Sequence, residues 1–169
     1  MAETICNTSP IQYLYQLGQL DLLRQLCGII FVPPAVVEEL AAGRALGVSL
    51  PEVATIDWVK IRRPTSEKAL PLVTNLGPGE AEVLMLALES PGAVVILDDG
   101  LARDIARTHR LPLKGTLGVL IEAKHRGLIR EMKPFLDRLQ ELRFRLAPHT
   151  PAPQSSRSPA KPEQAPRRA

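Results

Sequence analysis

The sequence predicts an α/β fold in which a parallel sheet is covered by helices on both faces. Three observations carry this. Short apolar runs at 4–6, 29–32 and 93–97 read as strands buried on both sides, since apolar and polar residues do not alternate in them. Stretches with helical spacing separate those runs. Polar residues gather where strands give way to helices, at Asn7 and at Asp98-Asp99.

The elements follow in order. Thr4 to Cys6 form a strand. Ser9, Pro10 and Gln12 fit the N-cap, first and third positions of a helix start. Leu14 and Leu17 continue its apolar face, and Gly18 ends it. Leu20 to Leu26 make a second short helix closed by Gly28. Ile29 to Val32 form a strand. Pro33-Pro34 opens a helix through Val36, Val37 and Leu40 to Gly43. Trp58 to Ile61 read as a further strand, and residues 62–78, with three prolines, as a loop. Gly79 to Glu89 form a helix and Ala93 to Leu97 a strand. Asp98-Asp99 then caps a helix carrying Leu101, Ala102, Ile105 and Ala106. A short strand near Leu111–Leu113, a helix from Thr116 to Gly127 and a last helix from Met132 to Leu142 complete residues 1–147 as one domain. From Pro148 to Ala169 the chain is rich in Pro, Ser, Gln and Arg. It has almost no large apolar residue, and this predicts a disordered tail.

The composition, 45% hydrophobic and 23% charged over 169 residues, suits one ordinary soluble domain. Aromatic residues are only 4%, so aliphatic side chains fill the core and a base-stacking sheet surface is excluded. A net charge of +3 permits nucleic-acid binding without demanding it. Cys6 and Cys27 are too few for a disulfide framework and read as reduced thiols. The N-terminus has no basic region before an apolar stretch, and no apolar run reaches the ~18 residues of a membrane span. A cytoplasmic protein is expected.

Helical geometry sorts the acids. At ~100° per residue, Glu38 lies opposite the Val36–Val37–Leu40 face, whereas Glu39 lies at its margin. Glu80 projects to the same side as Val83, Leu84, Ala87 and Leu88, and Glu82 projects away. A carboxylate on an apolar face is costly unless something pairs with it. Taken singly, each candidate has a plainer reading. Asp98-Asp99 is a helix cap, Glu80 a first-turn charge, Glu39 a solvated acid, and Asn7-Thr8-Ser9 a strand-to-helix cap. Their joint placement says more, because ligands of parallel sheets bind beyond the carboxyl ends of the strands. Asn7 and Asp98-Asp99 both follow strands, and Glu39 and Glu80 can approach from flanking helices. Clustered carboxylates stay together with a cation, and oxygen donors favour Mg²⁺ or Mn²⁺.

The segments NTSPIQYL, PPAVVEEL, LGPGEAEVLMLAL, VVILDDGLARDIA and KGTLGVLIEAKHRGLI resemble the PIN-domain nucleases, closest to their VapC-like toxin branch. The resemblance spans roughly residues 3–146. It implies a three-layer α/β/α fold with a central parallel sheet. It also implies a Mg²⁺- or Mn²⁺-dependent endoribonuclease that acts on RNA, is neutralised by a small antitoxin and forms a homodimer. By the same resemblance the acidic site falls on Asn7, Glu39, Glu80 and Asp99, with Asp98 beside it. Asn7 stands where the family usually has Asp. Its amide oxygen can still coordinate a metal, but it brings no charge and cannot act as a base. Thr8, Arg103, Lys114, Lys124 and Arg126 are candidates for contact with an RNA backbone. The apolar residues of Leu20–Leu26 and around Val119–Ile121 fit either a homodimer seam or core packing, which give the same pattern.

Two other classes compete. One is a PIN-like protein weakened in catalysis by Asn7, which binds RNA or a protein partner. The other is a phosphoacceptor domain, but the Asp pair comes too late in the chain for that. Lys114-Gly115-Thr116 lacks the upstream Gly spacing of a phosphate-binding loop.

Overall fold

The computed structural model describes residues 2–65 and 75–144. The predicted tail at 148–169 and part of the predicted loop at 62–78 lie outside the described residues. Five short strands, β1 (Thr4–Cys6), β2 (Ile30–Val32), β3 (Val59–Ile61), β4 (Val94–Ile96) and β5 (Leu113–Lys114), form one sheet in the order β3-β2-β1-β4-β5. Every pairing is parallel, with Thr4 opposite both Ile30 and Val94 and Cys6 opposite Ile96. The helices are α1 (Thr8–Gln16), α2 (Asp21–Cys27), α3 (Pro34–Ala45), α4 (Pro78–Glu89), α5 (Gly100–Thr108), α6 (Thr116–His125) and α7 (Lys133–Glu141).

The chain lays β1, β2 and β3 outward in one direction, then returns to place β4 against the other side of β1. Right-handed crossovers therefore put α1–α2 and α4–α5 on opposite faces. In keeping with this, α1 and α2 each pack on α6, while α4 packs on α5 and on β1 and β4. Ile5, Cys6, Ile30, Val32, Val95 and Ile96 are fully buried between the layers. The non-alternating strand runs required this. The reversal of strand order makes the β1/β4 boundary a topological switch point, where a crevice opens beyond the strand ends.

Several boundaries differ from the sequence expectation, each for a local reason. The N-cap of α1 is Asn7, not Ser9, and Asn7 makes no side-chain capping bond; its Nδ2 is turned to Glu80. Pro10 still fits in the first turn, where no intrahelical N–H bond is lost. Helix α3 does not stop at Gly43 but runs to Ala45, and Gly47 turns the chain at φ 84°. Gly43 is needed for space, since a Cβ there would collide with Leu50. β5 lies at Leu113–Lys114, slightly later than expected. Glu82 does not project away: it accepts a hydrogen bond from the backbone N–H of Ala35 (2.9 Å) and so caps α3. The segments that fit either a dimer seam or core packing are mostly core, because Leu22, Leu23, Leu26 and Val119 are buried within the chain and only Ile121 is well exposed.

Candidate functional site

The crevice at the switch point begins with Asn7. Its backbone N–H continues the sheet by donating to Ile96 O (2.9 Å), which fixes the residue against the end of β4. Its side chain is fully buried, and Nδ2 donates to Glu80 Oε1 at 3.2 Å. Asn7 Oδ1 is buried with no hydrogen-bond partner among the described residues. Such an orphaned acceptor is uncommon and costly, and it marks a place where a donor or a cation fits.

Glu39 and Glu80 enter from α3 and α4. Glu39 is half-buried and Glu38 exposed, as the helical geometry predicted. Both Glu39 oxygens are engaged: Oε2 accepts from the Thr8 hydroxyl and Oε1 from the Gly79 N–H (2.8 Å). The Leu-Gly-Pro-Gly-Glu run that opens α4 is built around these acids. A Cβ on Gly79 would stand 2.6 Å from Glu39 Oε2, and one on Gly77 would collide with Glu80. The two glycines make room for the two carboxylates. The signal was present in the sequence as alternating glycines before Glu80.

The two aspartates after β4 divide their work. Asp99 is the N-cap of α5 and accepts from Ala102 N–H at 2.9 Å. Asp98 faces β5 and the start of α6. Its Oδ1 accepts from Thr116 N–H (2.8 Å) and its Oδ2 from the Thr116 hydroxyl (2.6 Å). Burial holds the Asp98 carboxyl above its ordinary pKa, against the opposing pull of Thr116 and of the more distant charge of Arg103. Thr116, fully buried, is a site residue that sequence reasoning used only as a helix start. Gly115 is a third space-making glycine, because a Cβ there would stand 2.8 Å from Arg103 Nη1 and 2.9 Å from Asp98 Oδ1.

Glu80, Asp98 and Asp99 line one cavity of about 260 Å³ together with Ser9 and Tyr13. The structure thus brings three of the predicted acids to one cleft, with Asn7 bonded to one of them and Glu39 braced behind. Among the basic candidates, Arg103 is held by the Leu97 carbonyl (3.0 Å) and, with Lys114, lines an adjoining cavity of about 440 Å³. Arg126 pairs with Glu122 and lines a separate cavity beside Cys27. Lys124 is exposed and lines none of these cavities.

None of Glu39, Glu80, Asp98 and Asp99 forms an ion pair with a Lys or Arg among the described residues. Each is held by hydroxyl, amide or backbone N–H donors, which fix a carboxylate without neutralising it. Among the described residues no three His, Cys, Asp or Glu side chains are grouped so that they could hold a metal ion by themselves. The donor set instead fits a hard cation of the Mg²⁺ type, which keeps several waters and needs only one or two direct carboxylates. Glu80, Asp99 and the orphaned Asn7 oxygen could supply them.

No helix among the described residues is long and apolar enough to cross a membrane. No curated protein matches this chain. A family model described as a PIN domain matches residues 3–153. PIN domains are generally nucleases that act on nucleic acid with divalent metal ions. With the match spanning nearly the whole of the chain up to its tail, the protein belongs to the PIN-domain family.

Proposed function

We propose that the protein is a divalent-metal-dependent endoribonuclease and the toxin of a toxin–antitoxin pair. The observation that carries the catalytic part is the meeting of Glu80, Asp98 and Asp99 in one cleft, with the Asn7 amide bonded to Glu80 and, among the described residues, no Lys or Arg paired to any of the three acids. Mg²⁺ or Mn²⁺ held there lowers the pKa of bound water and stabilises charge on a phosphate. The chain's own residues set the stage. Glu80 and Asp99 present oxygens to the cleft. Thr116 fixes the Asp98 carboxylate, and Thr8 and Gly79 fix that of Glu39, so that these two acids shape the negative potential and keep their neighbours in place. Arg103, in the adjoining cavity, offers charge to the RNA backbone, and Lys114 would do so on leaving its ion pair with Glu122. Cytoplasmic location, a homodimer and a small antitoxin protein belong to this reading by analogy with the family.

A second reading has its own support. The Asn7 amide donates to Glu80, so an N–H stands where an Asp would need a bridging cation. This favours a domain weakened in catalysis that retains RNA or a protein partner. Cleavage of a mixed-structure RNA in Mn²⁺ and in EDTA separates the two. Metal-dependent cutting that Glu80→Gln abolishes supports the nuclease. Cutting only by Asn7→Asp supports the weakened domain. Silence from every variant overturns the ribonuclease reading.

A further inference from the structure

Two cavities meet at Asp98. One carries Glu80, Asp98 and Asp99, and the other carries Leu113 and Leu117 with Arg103, Arg107 and Lys114, of which Arg107 and Lys114 are paired with Asp104 and Glu122. Phe144 lines both, and Arg143 lines the acidic one. These two residues follow directly on α7, and their backbone is a complete helix-ending motif. Phe144 N–H donates to Leu139 O (2.9 Å) and Arg143 N–H to Gln140 O (3.0 Å). The motif holds Arg143 at φ 61°, a left-handed conformation that favours glycine. Gly18, Gly28 and Gly127 take positive φ after α1, α2 and α6.

Arg110 shows that the strain alone means little. It stands after α5 at φ 55° with the same pair of backbone bonds and lines neither cavity. Placement separates the two arginines. Arg143 sits at a cleft with three carboxylates and forms no ion pair among the described residues. The residue after such a cap commonly packs back onto its own helix. Phe144 is partly buried against the core and also meets the Tyr13 ring edge-on, with centroids 4.8 Å apart and planes at 90°, where the two cavities adjoin.

We infer that Arg143 and Phe144 are a positioning pair for one unpaired nucleotide next to the cut. The Phe144 ring, braced by Tyr13, stacks on the base. The Arg143 guanidinium takes a flanking phosphate, a planar donor fork being suited to that group. The scarcity of aromatics excludes a platform, but one ring serves one base. A base paired in a duplex has no free face, so the pair selects single-stranded RNA. This inference rests on the nuclease reading of the acidic cavity.

The test is anisotropy of a short fluorescein-labelled polypyrimidine RNA in EDTA, beside its duplex, and then cleavage in Mn²⁺. Phe144→Leu should weaken single-strand binding about tenfold, and Phe144→Tyr should restore it. Arg143→Gly should weaken it about fivefold and reduce the salt slope by about one ion. Because glycine suits that backbone, Arg143→Gly should melt no lower than wild type, so its loss is not a loss of fold. Arg110→Gly should share that thermal behaviour and keep full binding and cutting. Unchanged binding in both Phe144→Leu and Arg143→Gly overturns the pair. If the wild type cuts, Glu80→Gln does not, and the pair variants keep their KM, the nuclease stands and the pair falls. If the wild type never cuts yet Phe144→Leu still loses single-strand binding, the pair stands and the nuclease falls.

Discussion

Two carboxylates served by the same short segment, Lys114 to Thr116, are treated in opposite ways. Glu122 is paired with Lys114 and with Arg126 Nη2 (2.6 Å), and these cations hold its carboxyl below the ordinary range. Asp98 receives, among the described residues, the N–H and hydroxyl of Thr116 as its hydrogen-bond donors, and burial raises its carboxyl. The same contrast runs through the molecule. Glu3, Asp21, Asp104, Asp137 and Glu141 each form an ion pair with a Lys or Arg, whereas the acids at the switch point form none among the described residues, although Arg143 lines their cavity. The carboxylates in those ion pairs are neutralised from within, whereas Glu82, outside the acidic cavity, is held by the Ala35 N–H. Those at the crevice are positioned by neutral donors and keep their demand for an external cation.

The largest effect that can break this comparison comes from Asn7→Asp. The new carboxylate would be fully buried with Glu80 at hydrogen-bond distance, and the N–H between them would be gone. In EDTA this variant should lose roughly 3 kcal/mol, because like charges are buried without a partner. Mn²⁺ at about a thousandfold its Kd would return about 4 kcal/mol. Thermal melts with and without Mn²⁺ check this. A variant as stable as wild type in EDTA, and indifferent to Mn²⁺, would end the case for a cation at the crevice.

Thr116→Val should come next. It removes the hydroxyl from Asp98 Oδ2 and leaves the backbone bond to Oδ1. An underbonded buried carboxylate costs roughly 1–3 kcal/mol by denaturant titration. Gly79→Ala should be smaller in stability and sharper in function. The added Cβ forces the Glu39 carboxylate from its place, while alanine favours the helix by up to about 1 kcal/mol. The two effects nearly offset in the melt. RNA cleavage should fall at least tenfold, because Thr8 and Gly79 can no longer fix Glu39.

Much of this was legible in the sequence because local rules decided it. Continuous apolar runs marked β1, β2 and β4, and helical spacing separated Glu39 from Glu38. The parallel sheet and the carboxyl-end placement of Asn7 and Asp98-Asp99 then followed. What escaped were facts set by tertiary contact. Gly43 read as a helix stop because its contact with Leu50 is invisible in one dimension. Glu82 read as solvated because the N-terminus of α3 lies beside α4 only in the fold. Ser9 read as the cap from its spacing to Pro10 and Gln12, whereas the helix begins at Thr8 and the Asn7 amide reaches Glu80 across 73 positions. Thr116 and Gly115 carried no periodic signal, and their roles depend on Asp98 arriving from 18 residues upstream.

The smallest effect tests the other side of the comparison and carries a pH signature. Glu122→Gln removes a half-buried, doubly paired carboxylate, with an expected cost of roughly 0.5–1 kcal/mol at neutral pH. The Glu122 carboxyl is depressed below its ordinary value of 4.5 in the folded chain, chiefly by the Lys114 hydrogen bond. Its stabilisation is therefore fully present above that value and is lost as the pH falls through the folded value. The difference between wild type and Glu122→Gln should be constant at neutral pH and shrink toward zero in acid. Urea titrations across that range check it. High salt should narrow the gap as well, since exposed partners such as Arg126 are screened. A gap that widens in acid would mean that Glu122 is not held by its cations, and the division between neutralised and unneutralised carboxylates would lose its clearest member.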